Sequence, residues 1–215
     1  MKEAFPTSGG IEQGGVYVYL FDELDKLDEC FISENLLRLP EFRREQCARY
    51  RRAVDKKSCI LAWLLLEKGL REQYGITRPG QFVYNEFGKP YLRDHPQIFF
   101  SISHCKSGVV CALADFEIGA DIQDIQPFDI DIARRVCSEM EFQRVLEAED
   151  PAVELCKVWT EKESYAKAIG VSVADTLKQD LPKHISLCRE IKDCVLTVAV
   201  CHFSGYSAVL GSTSV

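Results

Sequence analysis

With 215 residues, 47% of them hydrophobic, the chain is long enough for one sizeable core or two small subdomains and too apolar to be wholly disordered. A formal charge of −7 argues against indiscriminate nucleic-acid binding, although Arg43, Arg44, Arg49, Arg51, Arg52, Lys56 and Lys57 form a local basic run suited to an anionic ligand. Ten cysteines without one Cys-x-x-Cys pair, beside only four histidines, point to buried thiols in a reducing cytosol rather than to disulfides or zinc modules. The polar, Gly-rich stretch over 1–15 lacks the apolar core of a signal peptide, and no run of about 18 apolar residues occurs, so a cytoplasmic protein without a membrane span is expected.

In chain order, residues 16–21 read as a first strand. Residues 40–74 read as helix, broken near Asp55, with Ile60, Leu61, Leu64 and Leu65 on the core face and Gly75 as the stop. Extended segments are expected at 81–84, 90–92, 98–102 and 109–114, punctuated by Gly80, Gly88 and Gly108. The second half repeats this order loosely: a strand at 118–122, helices at 130–136 and 139–148, and a helix from Asp150, whose carboxylate caps it and whose Pro151 suits the first turn. Residues 183–210 read as two or three antiparallel strands, with Ser204-Gly205 turning between the last two. The fold class is α+β, divided into an amino-terminal subdomain, 1–112, and a carboxy-terminal one, 113–215. A short echo, Arg51-Arg52-Ala53-Val54 against Arg134-Arg135-Val136, is too brief to prove duplication.

Chemistry-bearing residues gather in four places. On the helix from Asp150, Trp159, Glu163 and Lys167 fall at i, i+4 and i+8, one apolar group, one carboxylate and one ammonium along a ridge. By spacing alone, Glu163 and Lys167 read as an ordinary helix ion pair. In the strand at 118–122, alternation sends Gly119, Asp121 and Gln123 to one side, and an Asp in so apolar a segment needs a partner or a metal. Ser103-His104 ends an earlier strand, where sheets place ligands, although His104 alone is equally a loop-carbonyl donor. Asn85-Glu86-Phe87-Gly88-Lys89-Pro90 is a turn, in which Gly88 would let backbone approach a phosphate or base while Lys89 supplies charge; a plain solvated hairpin has the same composition.

Gly-Lys-Pro, Ser-x-Ser-His, Gly-x-Asp-x-Gln and Trp-x-x-Lys-Glu-x-x-x-Lys, in this order over roughly 49–170, resemble the Sfp-type 4'-phosphopantetheinyl transferases. The resemblance implies a monomeric pseudodimer of two similar α+β subdomains. It also implies transfer of the phosphopantetheine arm of coenzyme A to a serine of an apo acyl, peptidyl or aryl carrier protein, with release of adenosine 3',5'-bisphosphate. By position, Asp121 and Glu163 would ligate Mg2+, and Gln123, where many members have a second Glu, would offer a neutral oxygen or a water. Lys167 would act on the departing phosphate, with Glu163 as ligand or as base toward the incoming serine. Ser103 and His104 would contact phosphates, and Lys89 the adenine and 3'-phosphate. Arg49 falls at a basic position and Gln46 replaces a neighbouring one. Phe128, Ile130, Arg134 and Arg135 are candidates for docking the carrier, or equally a solvated helix face. Two other readings stand beside this one. A non-catalytic coenzyme A or nucleotide binder of the same fold would explain Gln123, and an unrelated magnesium-dependent nucleotide enzyme would call for a phosphate loop, Gly-x-x-x-x-Gly-Lys-Ser/Thr, that is missing here.

Overall fold

Residues 15–28 and 30–201 are described by the computed structural model. In chain order they form β1 (Tyr17–Phe21), α1 (Cys30–Asn35), α2 (Glu41–Arg49), α3 (Ala53–Tyr74), β2 (Phe82–Tyr84), β3 (Pro90–Leu92), β4 (Phe99–His104) and β5 (Val109–Ala114). Then follow β6 (Ile118–Asp124), α4 (Ile130–Val136), α5 (Glu139–Glu147), α6 (Pro151–Ile169), β7 (Ile185–Ile191) and β8 (Cys194–Val200). The mixture of helix and antiparallel strand is the expected α+β class. Ser204-Gly205 lies outside the described residues.

Two antiparallel sheets, β1-β5-β4 and β6-β8-β7, carry the architecture, with β2-β3 as a separate hairpin. All six residues of β5 and all seven of β8 are buried, because each sheet is covered on both faces. Tyr19, Phe21, Cys111 and Leu113 meet Leu61, Leu65 and Leu66 of α3 on one face of the first sheet. Val110, Ala112 and Ala114 meet Ile118, Ala120, Ile122 and Val198 of the second sheet on the other. α6 covers the remaining face of the second sheet, where Thr160 and Thr197 share a 2.8 Å hydroxyl hydrogen bond. The two halves therefore share a core. The division expected at 112/113 falls inside β5; the link between the sheets is the turn at 115–117.

The helix expected over 40–74 is two helices, and the break lies at 50–52 rather than near Asp55. Tyr50 and Arg52 take extended ψ values of 135° and 141°. Asp55 instead sits in the first turn of α3, where a carboxylate favours the helix dipole, and holds the Arg52 guanidinium at 2.8 and 2.9 Å. α3 ends at Gly75 as expected: φ is +67°, and Gly75 N and Ile76 N donate to Arg71 O and Leu70 O. Asp150 caps α6 through Oδ1, which accepts from Ala152 N and Val153 N ahead of the Pro151 turn, a motif worth about 1 kcal/mol.

Candidate active site

Gly119 lets α6 approach β6 to backbone contact. A Cβ on it would lie 1.8 Å from Ser164 O and 2.5 Å from Ala168 N, so any side chain would force the helix away. Strand alternation then turns Asp121, two residues on, toward the same helix, where Glu163 and Lys167 stand one turn apart. Asp121 is fully buried. Lys167 Nζ donates to Asp121 Oδ1 at 2.6 Å and to Ser103 Oγ at 3.1 Å, and Ser103 Oγ donates to the same carboxylate oxygen at 2.6 Å. Gln123 Nε2 donates to Asp121 Oδ2 at 3.1 Å, and Glu163 Oε2 lies 3.3 Å from Lys167 Nζ. Three elements, β4, β6 and α6, thus converge on one carboxylate.

The two acids are driven apart. Burial pushes the Asp121 carboxyl up, but the Lys167 ammonium and the hydrogen bonds from its neighbours outweigh that and hold it below the ordinary carboxylate range. Burial also pushes Glu163 up, and there the Asp121 charge adds to the rise, so it stays above its usual value despite Lys167. Such a pair has one cation too few. The donor set is hard: two carboxylates and, with the Gln123 amide turned over, a carbonyl oxygen, the ligand type of Mg2+. Lys167 stands where a cation is wanted, between Asp121 and Glu163.

Residues 117–197, which contain Asp121, Gln123, Glu163 and Lys167, match the family model of the 4'-phosphopantetheinyl transferase superfamily. A 4'-phosphopantetheinyl transferase of Bacillus subtilis is 33% identical over 132 residues, which is 60% of this chain and 58% of that protein. The 4'-phosphopantetheinyl transferase Sfp of Bacillus subtilis strain 168 is 30% identical over 131 residues, with 60% and 58% covered. The 4'-phosphopantetheinyl transferase gsp of Aneurinibacillus migulanus is 33% identical over 158 residues, with 72% and 65% covered. The chain is thus similar to proteins of the 4'-phosphopantetheinyl transferase superfamily. It matches less than two thirds of the length of each of these three relatives.

The expected superfamily positions outside the matched segment are scattered more widely. Ser103 joins the Asp121 cluster. His104, next to it at the end of β4, is exposed as a residue, but desolvation of its ring by the surrounding chain and, after it, the Lys167 ammonium lower its pKa. Lys89 is not in the cluster: its ammonium is buried, pairs with Glu117 and donates to Ala168 O at 2.8 Å, satisfying a carbonyl at the end of α6. Asn85 Nδ2 donates to Gly170 O at 2.9 Å, so the whole β2–β3 turn docks on that helix end. Gly88 is needed for its φ of +83°; no atom lies within 4 Å of where its side chain would point. Arg49 is exposed at the end of α2, and Gln46 accepts a hydrogen bond from the buried Arg43.

Sequence reasoning passed over Lys162, inside its most specific motif. It is fully buried, 2.9 Å from Glu141 Oε2, and donates to Thr176 O and Gln179 O at 3.1 and 2.7 Å. Glu141 itself closes the capping box of α5 with Ser138. The legible signal was Ser138-x-x-Glu141, which marks a helix start; that its carboxylate also receives a lysine from α6 is a tertiary fact. Ser101 was missed likewise: its Oγ accepts from Ala120 N at 2.9 Å and satisfies the free edge of β6.

Proposed function

We propose that this chain transfers the 4'-phosphopantetheine group of coenzyme A to a serine hydroxyl of an apo acyl, peptidyl or aryl carrier protein, releasing adenosine 3',5'-bisphosphate. The observation that carries the reading is the convergence of Ser103, Gln123 and Lys167 on the buried Asp121 carboxylate, with Glu163 beside Lys167, in a chain whose relatives are named 4'-phosphopantetheinyl transferases. Asp121, Glu163 and the Gln123 amide oxygen would hold Mg2+, which when bound neutralises charge on pyrophosphate oxygens.

The protein's own groups account for the rest. With Asp121 serving as a metal ligand, the Lys167 ammonium would be free to meet the phosphate that departs. Glu163 would serve as metal ligand or as base toward the incoming serine hydroxyl. His104, exposed at the end of β4, would offer its imidazole to phosphates, whereas the buried Ser103 hydroxyl would first have to leave Asp121 and Lys167. Arg49 has the exposure for a phosphate contact, whereas Lys89 would have to leave Glu117 and Ala168 to make one. Carrier docking falls on the exposed Phe128, Ile130, Arg134 and Arg135, where apolar and basic side chains suit an acidic amphipathic partner. A cytoplasmic monomer fits ten unpaired cysteines and a core shared by both halves.

Incubation with coenzyme A, magnesium and a panel of apo carrier proteins tests this, with intact mass as the readout. Gain of one phosphopantetheine on a carrier is the expected result. Tight coenzyme A binding with no mass gain on any carrier would favour the binding-only reading, for which Gln123 in place of an acid is the specific support.

A further inference from the structure

The turn that follows Ser103-His104 holds a second constellation, of different chemistry. Cys105 opens the β4–β5 turn, Asp124 ends β6, and Cys194 opens β8 directly opposite Asp124. Cys105 Sγ and Cys194 Sγ are 3.7 Å apart, Cys194 Sγ is 3.5 Å from Asp124 Oδ1, and all three ligand atoms lie within 4.8 Å of one another. Around a tetrahedral zinc ion, with Zn–S about 2.3 Å and Zn–O about 2.0–2.2 Å, two sulfurs sit roughly 3.8 Å apart and a sulfur and an oxygen roughly 3.5 Å apart. A disulfide would need the sulfurs at about 2.05 Å, well short of the 3.7 Å found.

We propose that Cys105, Cys194 and Asp124 form a binding site for a thiophilic divalent cation, zinc by preference, that fastens the β4–β5 turn to the second sheet. The carboxylate is already oriented for this: Oδ2 accepts from Lys106 N at 2.8 Å and Oδ1 from Ser107 N at 3.2 Å, the outer hydrogen bonds that fix a ligating carboxylate. Ser107 Oγ, bonded to Asp124 Oδ1, or a water completes four-coordination. Cys105 and Asp124 are only partly buried, which leaves a path for the ion. Two sulfurs select against magnesium, just as the all-oxygen set at Asp121 selects against a soft metal. The two sites are therefore chemically separate although Asp124 is only three residues from Asp121. The sequence concealed this one, because no Cys-x-x-Cys spacing brings Cys105 to Cys194; strand pairing does.

The experiment uses the full chain, kept reduced, with the exposed Cys30 and Cys188 replaced by serine to remove competing thiols. Cadmium is titrated while the ultraviolet sulfur-to-metal band is recorded, and zinc affinity is read by competition with a chromogenic chelator. The band is expected to saturate at one equivalent, to resist excess magnesium, and to be lost in Cys105→Ser and in Cys194→Ser. Asp124→Asn should weaken zinc by at least about tenfold. As a readout that needs no variant at the site, zinc should protect Cys105 and Cys194, and no other pair, from alkylation mapped by peptide mass. A saturable band that survives Cys105→Ser/Cys194→Ser, absence of any saturable band in the parent, or a Cys105–Cys194 disulfide in a protein that binds no metal when reduced would overturn the proposal.

Discussion

Gln123 sets how much negative charge the site can offer a cation. Its amide faces Asp121 Oδ2, so Gln123→Glu places a second carboxylate beside a buried one. Without magnesium the variant should melt at a lower temperature than the parent, from like-charge repulsion. With magnesium it should need roughly tenfold less metal for half-maximal transfer, a step on the decade scale over which ligand charge tunes such sites. Parallel melting curves and magnesium titrations check both, and an unchanged metal requirement would move Gln123 away from the ion. Lys167 has an observed contact and a proposed role, and the two separate experimentally. As the counter-charge of Asp121 it stabilises the metal-free fold, so Lys167→Met should cost about 1–3 kcal/mol in denaturant melts without magnesium, and magnesium should restore part of that loss. In the proposed reaction, where Lys167 would meet the leaving phosphate, the same substitution should lower turnover far more than coenzyme A affinity. Loss of affinity at constant turnover would make it a binding residue only.

Among the elements, α6 matters most, because it carries both Glu163 and Lys167 and is located by contacts at several points. Gly119 lies under its last turns, against Ser164 and Ala168. Gly119→Ala should cost about 1–3 kcal/mol or more, since the added methyl meets helix backbone and not a side chain that can turn away. Transfer should fall further than stability at a temperature where the variant is folded, because the displaced helix takes Glu163 and Lys167 from Asp121. Far-ultraviolet dichroism together with transfer rates distinguishes displacement from unfolding. Lys162 ties the same helix to the start of α5 and to the loop at 176–179. Lys162→Met would strand Glu141 and two carbonyl groups, at a cost of about 3–5 kcal/mol in a urea melt. The β2–β3 turn holds the far end of α6 through Asn85 and Lys89, so the residue expected to grip nucleotide is first a helix terminator.

For the molecule as a whole, stability should depend on pH through Glu161 and His184, which join α6 to the approach of β7. The Glu161 carboxylate, 3.2 Å from His184 Nε2, raises the imidazole above its ordinary value of 6.5, and His184 in turn holds Glu161 below 4.5. The raised histidine contributes stability that is fully present below pH 6.5 and is lost as pH rises through its folded value. The depressed glutamate contributes stability that is present above pH 4.5 and is lost as pH falls through its folded value. Melting temperature against pH should therefore decline above pH 6.5 in the parent, and that decline should flatten in His184→Asn. An unchanged slope in the variant would show that the pair is uncoupled in solution.

Local pattern determined a good deal. The Asp150-Pro151 start of α6, the Gly75 stop of α3 and the strands at 90–92 and 109–114 follow from caps, glycine conformations and period-2 alternation, which act within a few residues and so are written in the chain. The ridge of Glu163 and Lys167 and the shared face of Asp121 and Gln123 are of the same kind. Tertiary packing decided the rest. Whether Lys167 is a surface ion pair or the partner of a buried Asp121 depends on how closely α6 lies on β6, and that depends on a glycine whose neighbours, Ser164 and Ala168, are far away in sequence. Lys89 could be read as a free cation only until β3 brought it to Glu117 and the end of α6. Cys105 and Cys194 became neighbours only through the pairing of β6 with β8 and the folding of the β4–β5 turn onto that sheet. Caps and periodicity are short-range, whereas desolvation and ion pairing depend on what the folded chain brings together, and sequence distance does not encode that.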